Sequence, residues 1–360
     1  MQRTVSSPTV DRPDQTGRDE VLKNLLSRRT GLLAASLGLA GVLFGASPVA
    51  AQSAWKLGSA AQPGSPLILF GEHFMKQVNA NSGGAIAIEH QFVASEQENI
   101  NQVIRGRLQS AQLSYAGSAA VVPELAVFTI PYLWVSEAER AWVMEKHGEA
   151  IAARFYAEKG VVMIGGYDIR YTGVVCKIDC RNPASLRGIK ARVSPSPASR
   201  VFWRQLGAAG AQMSLADLFP ALQQGVVEAA DLPFVYYVTT PAAQSNPVFV
   251  ETNHTHHHGA FIVNRAAFER LPANVQAALR AAPLPLQKTA EMNIAAEAEL
   301  RARFRANGGT FHEIPEATLE EWRKLIVPAQ LEIVKEIGGR AQEIWDALQK
   351  GKAEYAAQRR

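Results

Sequence analysis

The run Trp55-Lys56-Leu57-Gly58, followed by Gln62-Pro63-Gly64-Ser65-Pro66, decides how the rest of the chain is read. Its first four residues have a strand pattern. Gln62-Pro63-Gly64 makes a turn, Ser65 suits a helix cap, and Pro66 suits a first helical position. Phe70, Phe74 and Val78 recur at steps of four, placing one apolar stripe along that helix. Asn81-Ser82-Gly83-Gly84 ends it. Ala85 to Phe92 alternates like a strand. Ile100, Val103, Ile104 and Leu108 mark a second helix, and Leu113 to Tyr115 a short strand. Strand–helix–strand–helix–strand is the order of a parallel sheet covered by helices, so the fold class is α/β.

The middle of the chain repeats the theme. Val161 to Ile164, Thr172 to Cys176 and Ile189 to Val193 read as strands, the last running into Ser194-Pro195-Ser196-Pro197. A helix carrying Val201, Phe202, Gln205 and Leu206 follows, then one carrying Leu218, Phe219, Leu222 and Val226. Phe261-Ile262-Val263 is a further strand, and Asn274 to Ala281 starts a helix-rich final third. Leu319, Trp322, Ile326, Ile344, Trp345 and Leu348 are the expected packing faces there. No internal sequence repeat or heptad run is present.

The first fifty residues are of a different kind. A polar segment leads to Ser27-Arg28-Arg29-Thr30-Gly31-Leu32-Leu33, an apolar stretch to Phe44, and Ser47-Pro48-Val49-Ala50-Ala51-Gln52. A charged start, a short apolar region and small residues before a cut point describe a secretory signal, here residues 1–51 with cleavage near Ala51. Arg28-Arg29 resembles a twin-arginine export signal, with ordinary Sec export as the alternative. The apolar stretch is near the lower limit for a membrane span and is diluted by glycine and alanine, so an uncleaved anchor is the competing reading. The expected location is the periplasm.

The 360 residues are 47% hydrophobic and 19% charged, an ordinary globular composition. The segment up to Ala51 holds six of the 37 basic and four of the 33 acidic residues, leaving a net charge of +2 beyond it. No dense basic block remains there, which argues against a nucleic-acid partner. Cys176 and Cys180 are the only cysteines. Export permits a local disulfide, but three intervening residues would demand a tight turn, and the sequence leaves the pairing open.

Several segments together resemble one family. Gly188-Ile189-Lys190-Ala191-Arg192-Val193 before Pro195 and Pro197 is similar to its Gly-Leu-Lys-Ile-Arg strand. Ala221-Leu222-Gln223-Gln224-Gly225-Val226-Val227-Glu228 is similar to its Ala-Leu-Gln-Gln-Gly-Val-Val-Asp helix end. Pro123-Glu124-Leu125, Pro131-Tyr132-Leu133, Thr252-Asn253-His254 and Leu271-Pro272-Ala273-Asn274-Val275-Gln276 fit in order. The family is that of the substrate-binding subunits of tripartite ATP-independent periplasmic (TRAP) transporters, DctP type. The resemblance implies a two-lobed periplasmic-binding-protein-like clamp with a cleft between the lobes, crossing strands and long helices. By analogy residues 52–167 plus 258–297 form the first lobe and 168–257 plus 298–360 the second. It implies capture of a small organic carboxylate and delivery to TRAP membrane permease subunits, with hinge closure on the ligand. Oligomeric state stays open between monomer and dimer. Some relatives pair through a long C-terminal helix; Leu331 to Leu348 either serves that way or packs internally.

Within that frame Arg192 is the first candidate ligand residue. It ends a strand before a proline-rich loop, where α/β sites cluster, and a planar guanidinium gives a carboxylate two parallel hydrogen bonds. Arg170, in Gly166-Tyr167-Asp168-Ile169-Arg170, resembles a second family arginine; its competing role is an ion pair. Where the family often has Gln-Glu-Asn-Pro, this chain has Ala230-Asp231-Leu232-Pro233. Leu232 cannot replace the hydrogen bonds of asparagine. With Phe234, Tyr236, Tyr237 and Trp203 nearby, it suggests a less polar ligand; the competing role of these aromatics is core packing. Glu96 and Tyr115, near predicted strand ends, face the cleft by analogy.

His254, His256 and His258 would share one face of a strand and invite a metal reading. Alternating histidines on one strand point too nearly parallel to converge, and no metal or cofactor is expected. Glycine fingerprints, nucleophile elbows and zinc-protease motifs are all missing, so the reading is of a binder and not an enzyme. A ligand-sensing partner of a membrane receptor and, more remotely, an exported enzyme are the alternatives.

Overall fold

The computed structural model describes residues 53–359. The proposed export signal lies outside them. Among the described residues, no helix is long and apolar enough to cross a membrane.

The opening segment folds as its residues dictate. Strand β1 (Ser53–Ser59) leads to the helix Pro66–Asn81, whose first turn is capped by Ser65 Oγ accepting from Leu67 N–H at 3.2 Å. Phe70, Phe74 and Val78 are buried to 1% exposure or less, which turns the sequence stripe into a packed face. Gly83 and Gly84, both at positive φ, reverse the chain into β2 (Ile86–Phe92). The helix Glu96–Ile104 and β3 (Ser110–Ser114) complete the unit.

The remaining strands are β4 (Val161–Cys176), β5 (Lys190–Val193), β6 (Ala209–Gln212), β7 (Ala229–Pro233), β8 (Val248–Asn264) and β9 (Thr310–Glu313). They form one sheet in the order β2-β1-β3-β8-β4-β7-β5-β6, with β9 added to β8. The strands β2-β1-β3 are mutually parallel, and so are β7-β5-β6. Between these two triplets run β4 and β8, antiparallel to each other and long enough to serve both. Each triplet has its first strand in the middle, so the same 2-1-3 winding occurs twice without any repeat in sequence.

Two expectations change here. Val161–Ile164 and Thr172–Cys176 are not separate strands but the two ends of β4. The glycines and polar residues between them look like a break, yet pairing with β8 carries the strand through, with register shifts at Met163/Gly165, Asp168/Arg170 and Thr172/Val174. Leu331 to Leu348 is not one long helix. Gly338 and Gly339, at φ 68° and 53°, divide it into Gln330–Ile337 and Ala341–Gln358. Ile333, Val334, Ile344 and Leu348 are buried in the chain's own core. Cys176 and Cys180 are joined by a disulfide, with Cα atoms 6.4 Å apart.

Candidate functional site

Both parallel triplets aim their C-terminal ends at one cavity of about 910 Å³, counting its open mouth. Ser59 and Ala60 arrive from β1, Ser114 from β3, Arg192 and Ser194 from β5, and Asp231 and Leu232 from β7. The crevice beyond the carboxyl ends of a wound sheet is where α/β proteins bind ligands, because loops diverge there and leave space. Here two such crevices face each other.

Arg192 is 5% exposed, and its Nε donates to Met213 O at 3.3 Å. It makes no ion pair with any described carboxylate. Burial pushes its pKa down, and the more distant charges of Asp231 and Glu96 only partly oppose this. A guanidinium with unused donors at a cavity wall is prepared for an anion.

Glu96 opens the helix that follows β2. Its Oε1 accepts from Ser114 N–H at 2.6 Å and its Oε2 from Ser114 Oγ at 2.8 Å. A side chain on Gly117 would collide with this carboxyl group, so glycine is needed there to seat it. Burial raises the pKa of Glu96 despite the bonds from Ser114 and the charge of Arg192. Gln112 is fixed between Ser59 Oγ, which donates to its Oε1 at 3.3 Å, and Leu67 O, which accepts from its Nε2 at 2.8 Å.

Asp231 was singled out by no sequence signal beyond its position before Leu232. Its Oδ1 accepts from Trp203 Nε1 at 2.9 Å and Ser199 Oγ at 3.5 Å, whereas Oδ2 has only His254 Nε2 at 4.0 Å. Burial works to raise its pKa, but His254, Arg192 and Trp203 outweigh that and hold it at about 2. Asp231 is therefore an anion at neutral pH. His257, also on the cavity wall, is pushed down by burial to about 4 and is neutral.

The structure brings Arg192, Glu96 and Leu232 to this cavity, and not the other four candidates. Trp203 stands behind it as the donor that orients Asp231. Tyr115 is buried against Phe128, Tyr156 and His258. Phe234 is core, packed edge-on against Phe249, Phe304 and Phe311. Arg170 sits at φ 79° in the β4 bulge, which points it away to Glu137 at 3.8 Å and Glu297 at 3.7 Å. Helix Leu286–Ala306 pins that bulge: Asp168 N–H donates to Thr289 Oγ1 at 2.9 Å, and Asn293 Nδ2 donates to Asp168 O at 2.8 Å.

The histidine run does not converge. Asn253, at φ 45°, and the adjoining register shift turn His254 toward Asp231 and Phe202. His256 and His258 instead face a buried group under the crossing strands. His256 Nε2 lies 3.0 Å from Asp168 Oδ2, and Arg140 Nη1 donates to His258 Nε2 at 2.8 Å. Glu137, Asp168 and His256 are spaced as metal ligands are, but Arg140 already serves as their cation, bonded to Glu137 and 3.2 Å from Asp168.

The family described as bacterial extracellular solute-binding protein, family 7 (DctP) matches residues 57–336. Protein y4mM of Sinorhizobium fredii is 27% identical over 293 residues, covering 79% of this chain but only 54% of that relative's length. The C4-dicarboxylate-binding periplasmic protein DctP of Rhodobacter capsulatus is 24% identical over 264 residues, 71% of this chain and 79% of that one. Among solved structures, a TRAP periplasmic solute-binding protein of Desulfovibrio salexigens with bound orotic acid superposes with a TM-score of 0.78 at 17% identity, covering 84% of this chain and 99% of the other. With a match over most of its length and the two-lobed α/β sheet of that family, the chain belongs to the family 7 (DctP-type) bacterial extracellular solute-binding proteins.

Proposed function

We propose that this chain captures a small organic carboxylate outside the cytoplasm and delivers it, unchanged, to the membrane permease of a TRAP transporter. The observation that carries the reading is Arg192: a buried guanidinium on the cavity wall with one backbone hydrogen bond and no ion pair among the described residues. A ligand carboxylate would complete it with two charge-assisted bonds. The acids named for the R. capsulatus and D. salexigens relatives support the same class. Arg192, Glu96 and Leu232 contact the ligand in this reading, with Asp231 beside them. Residues 52–167 plus 258–297 and residues 168–257 plus 298–360 move as two lobes, flexing where β4 and β8 shift register. Residues 1–51 direct export and are removed.

A thermal-shift screen of organic acids on the exported protein, unfolded and refolded to strip carried ligand, tests this. A ligand at 100 times its Kd adds about 2.7 kcal/mol, a shift of roughly several degrees. The shift is expected with a carboxylate and is abolished in Arg192→Ala. A shift that survives Arg192→Ala, or none with any acid, refutes the reading.

A further inference from the structure

The cavity wall carries one cation, Arg192, against two carboxyl groups, Glu96 and Asp231; His257 adds no charge. Asp231 already balances Arg192, so a simple monocarboxylate brought here leaves the site with net negative charge, and a dicarboxylate leaves more. In a site walled off from water that repulsion is felt strongly. A zwitterion adds nothing to the balance.

The two strongest charges are also placed for one. Strands β5 and β7 are neighbours, with Ala191 opposite Ala229, so Arg192 and Asp231 reach the same cavity wall from adjacent strands, one residue out of register, and each feels the other's charge. They do not pair with each other. Arg192 keeps unused donors, and Asp231 Oδ2 keeps an unused acceptor, because Trp203 and Ser199 both bond to Oδ1. The rest of the wall is largely apolar: Ala60, Ala61, Leu67, Ile169, Leu215 and Leu232.

We infer that the site takes an α-amino acid with an apolar side chain, Arg192 binding the carboxylate and Asp231 the adjacent ammonium. The inference rests on the carboxylate reading of the cavity and narrows it. Glu96, across the cavity, supplies a second acceptor for the same group. Trp203 is a positioning residue: by occupying Oδ1 it leaves Oδ2 for the ligand.

Calorimetric titration of the stripped protein separates the possibilities. The probes are leucine, 2-hydroxy-4-methylpentanoate and 4-methylpentanoate, the corresponding phenylalanine series, and succinate. In at least one series the amino acid is expected to bind about tenfold or more tighter than the unsubstituted acid, with the hydroxy acid between, as a charged hydrogen bond requires. Asp231→Asn, which preserves the shape and the bond from Trp203, is expected to erase the preference for amino over hydroxy and to tighten the unsubstituted acid, from which it removes a repelling charge. Unsubstituted acids binding as tightly as the amino acids, or succinate binding tighter than both, overturns the inference and leaves the carboxylate reading in place. No binding by any of these acids overturns the inference; if the wider screen is also blank, the carboxylate reading falls with it.

Discussion

Arg192 and Arg170 both look like ligand-gripping arginines in the sequence, and both lie in or beside the central sheet. Their surroundings differ in one respect that decides their roles. Arg170 belongs to a closed group under the crossing strands, where it and Arg140 meet the carboxylates of Glu137, Asp168 and Glu297, with His256 and His258 against them. Arg192 stands at a cavity with its charge unmatched by any ion pair among the described residues. A buried charge with protein partners maintains the fold, whereas one without them destabilises the protein that holds it. That distinction is read from partners and not from residue type.

The comparison can be broken by mutation. The largest effect is expected from Arg140→Ala, which strands Glu137 and Asp168 and should cost about 3–5 kcal/mol in guanidinium unfolding. Arg192→Ala in the same ligand-free measurement should leave stability unchanged or higher; an equal loss in both variants would erase the distinction. Next comes pH. Burial holds the folded pKa of His257 near 4, below its unfolded value of 6.5, and the three other histidines of the run are shifted the same way. The unfolded chain therefore takes up protons first. The stability tied to neutral rings is present above about pH 6.5 and is lost as pH falls toward 4, at about 1.4 kcal/mol per pH unit for each proton. His257→Gln should flatten that slope in unfolding curves between pH 7 and 5. The smallest effect belongs to Arg170→Ala. Its two contacts are long, so about 1 kcal/mol of stability and no change in ligand affinity are expected; a tenfold loss of affinity would return it to the site.

The parts of the fold that were legible in sequence are those fixed by local chemistry. Ser65-Pro66 and the Phe70–Phe74–Val78 stripe specify a capped amphipathic helix without help from elsewhere. The crossing strands were not legible, because β4 survives Gly165, Gly166 and Asp168 through pairing with β8, about ninety residues later in the chain. Arg192's place on the cavity wall could be anticipated, because a strand end before Ser194-Pro195 is a local signal and the Gly188–Val193 segment resembles the family's strand. Asp231 could not: its importance comes from Trp203 taking one oxygen and leaving the other, a contact across 28 positions. Phe234 and Tyr115 failed as candidates for the opposite reason. An aromatic beside a site residue in sequence has an equal claim on the core, and only packing decides between them.

The pairing of β3 with β8 has a consequence for how the protein is made. Ser110 finds its neighbour Val263 only after some 150 further residues have been added. At about 5–20 residues per second, the ribosome takes roughly 8–30 s to supply them. Until then the first triplet has an open edge where β8 belongs, and the second triplet lacks the shared strand that joins it to the first. The strands β4-β7-β5-β6 come from one contiguous stretch of chain and can pair before β8 exists, but they stay separate from the first triplet until it is added. Connectivity thus lets the two parts of the sheet form in turn, while the step that joins them waits until most of the chain has been made.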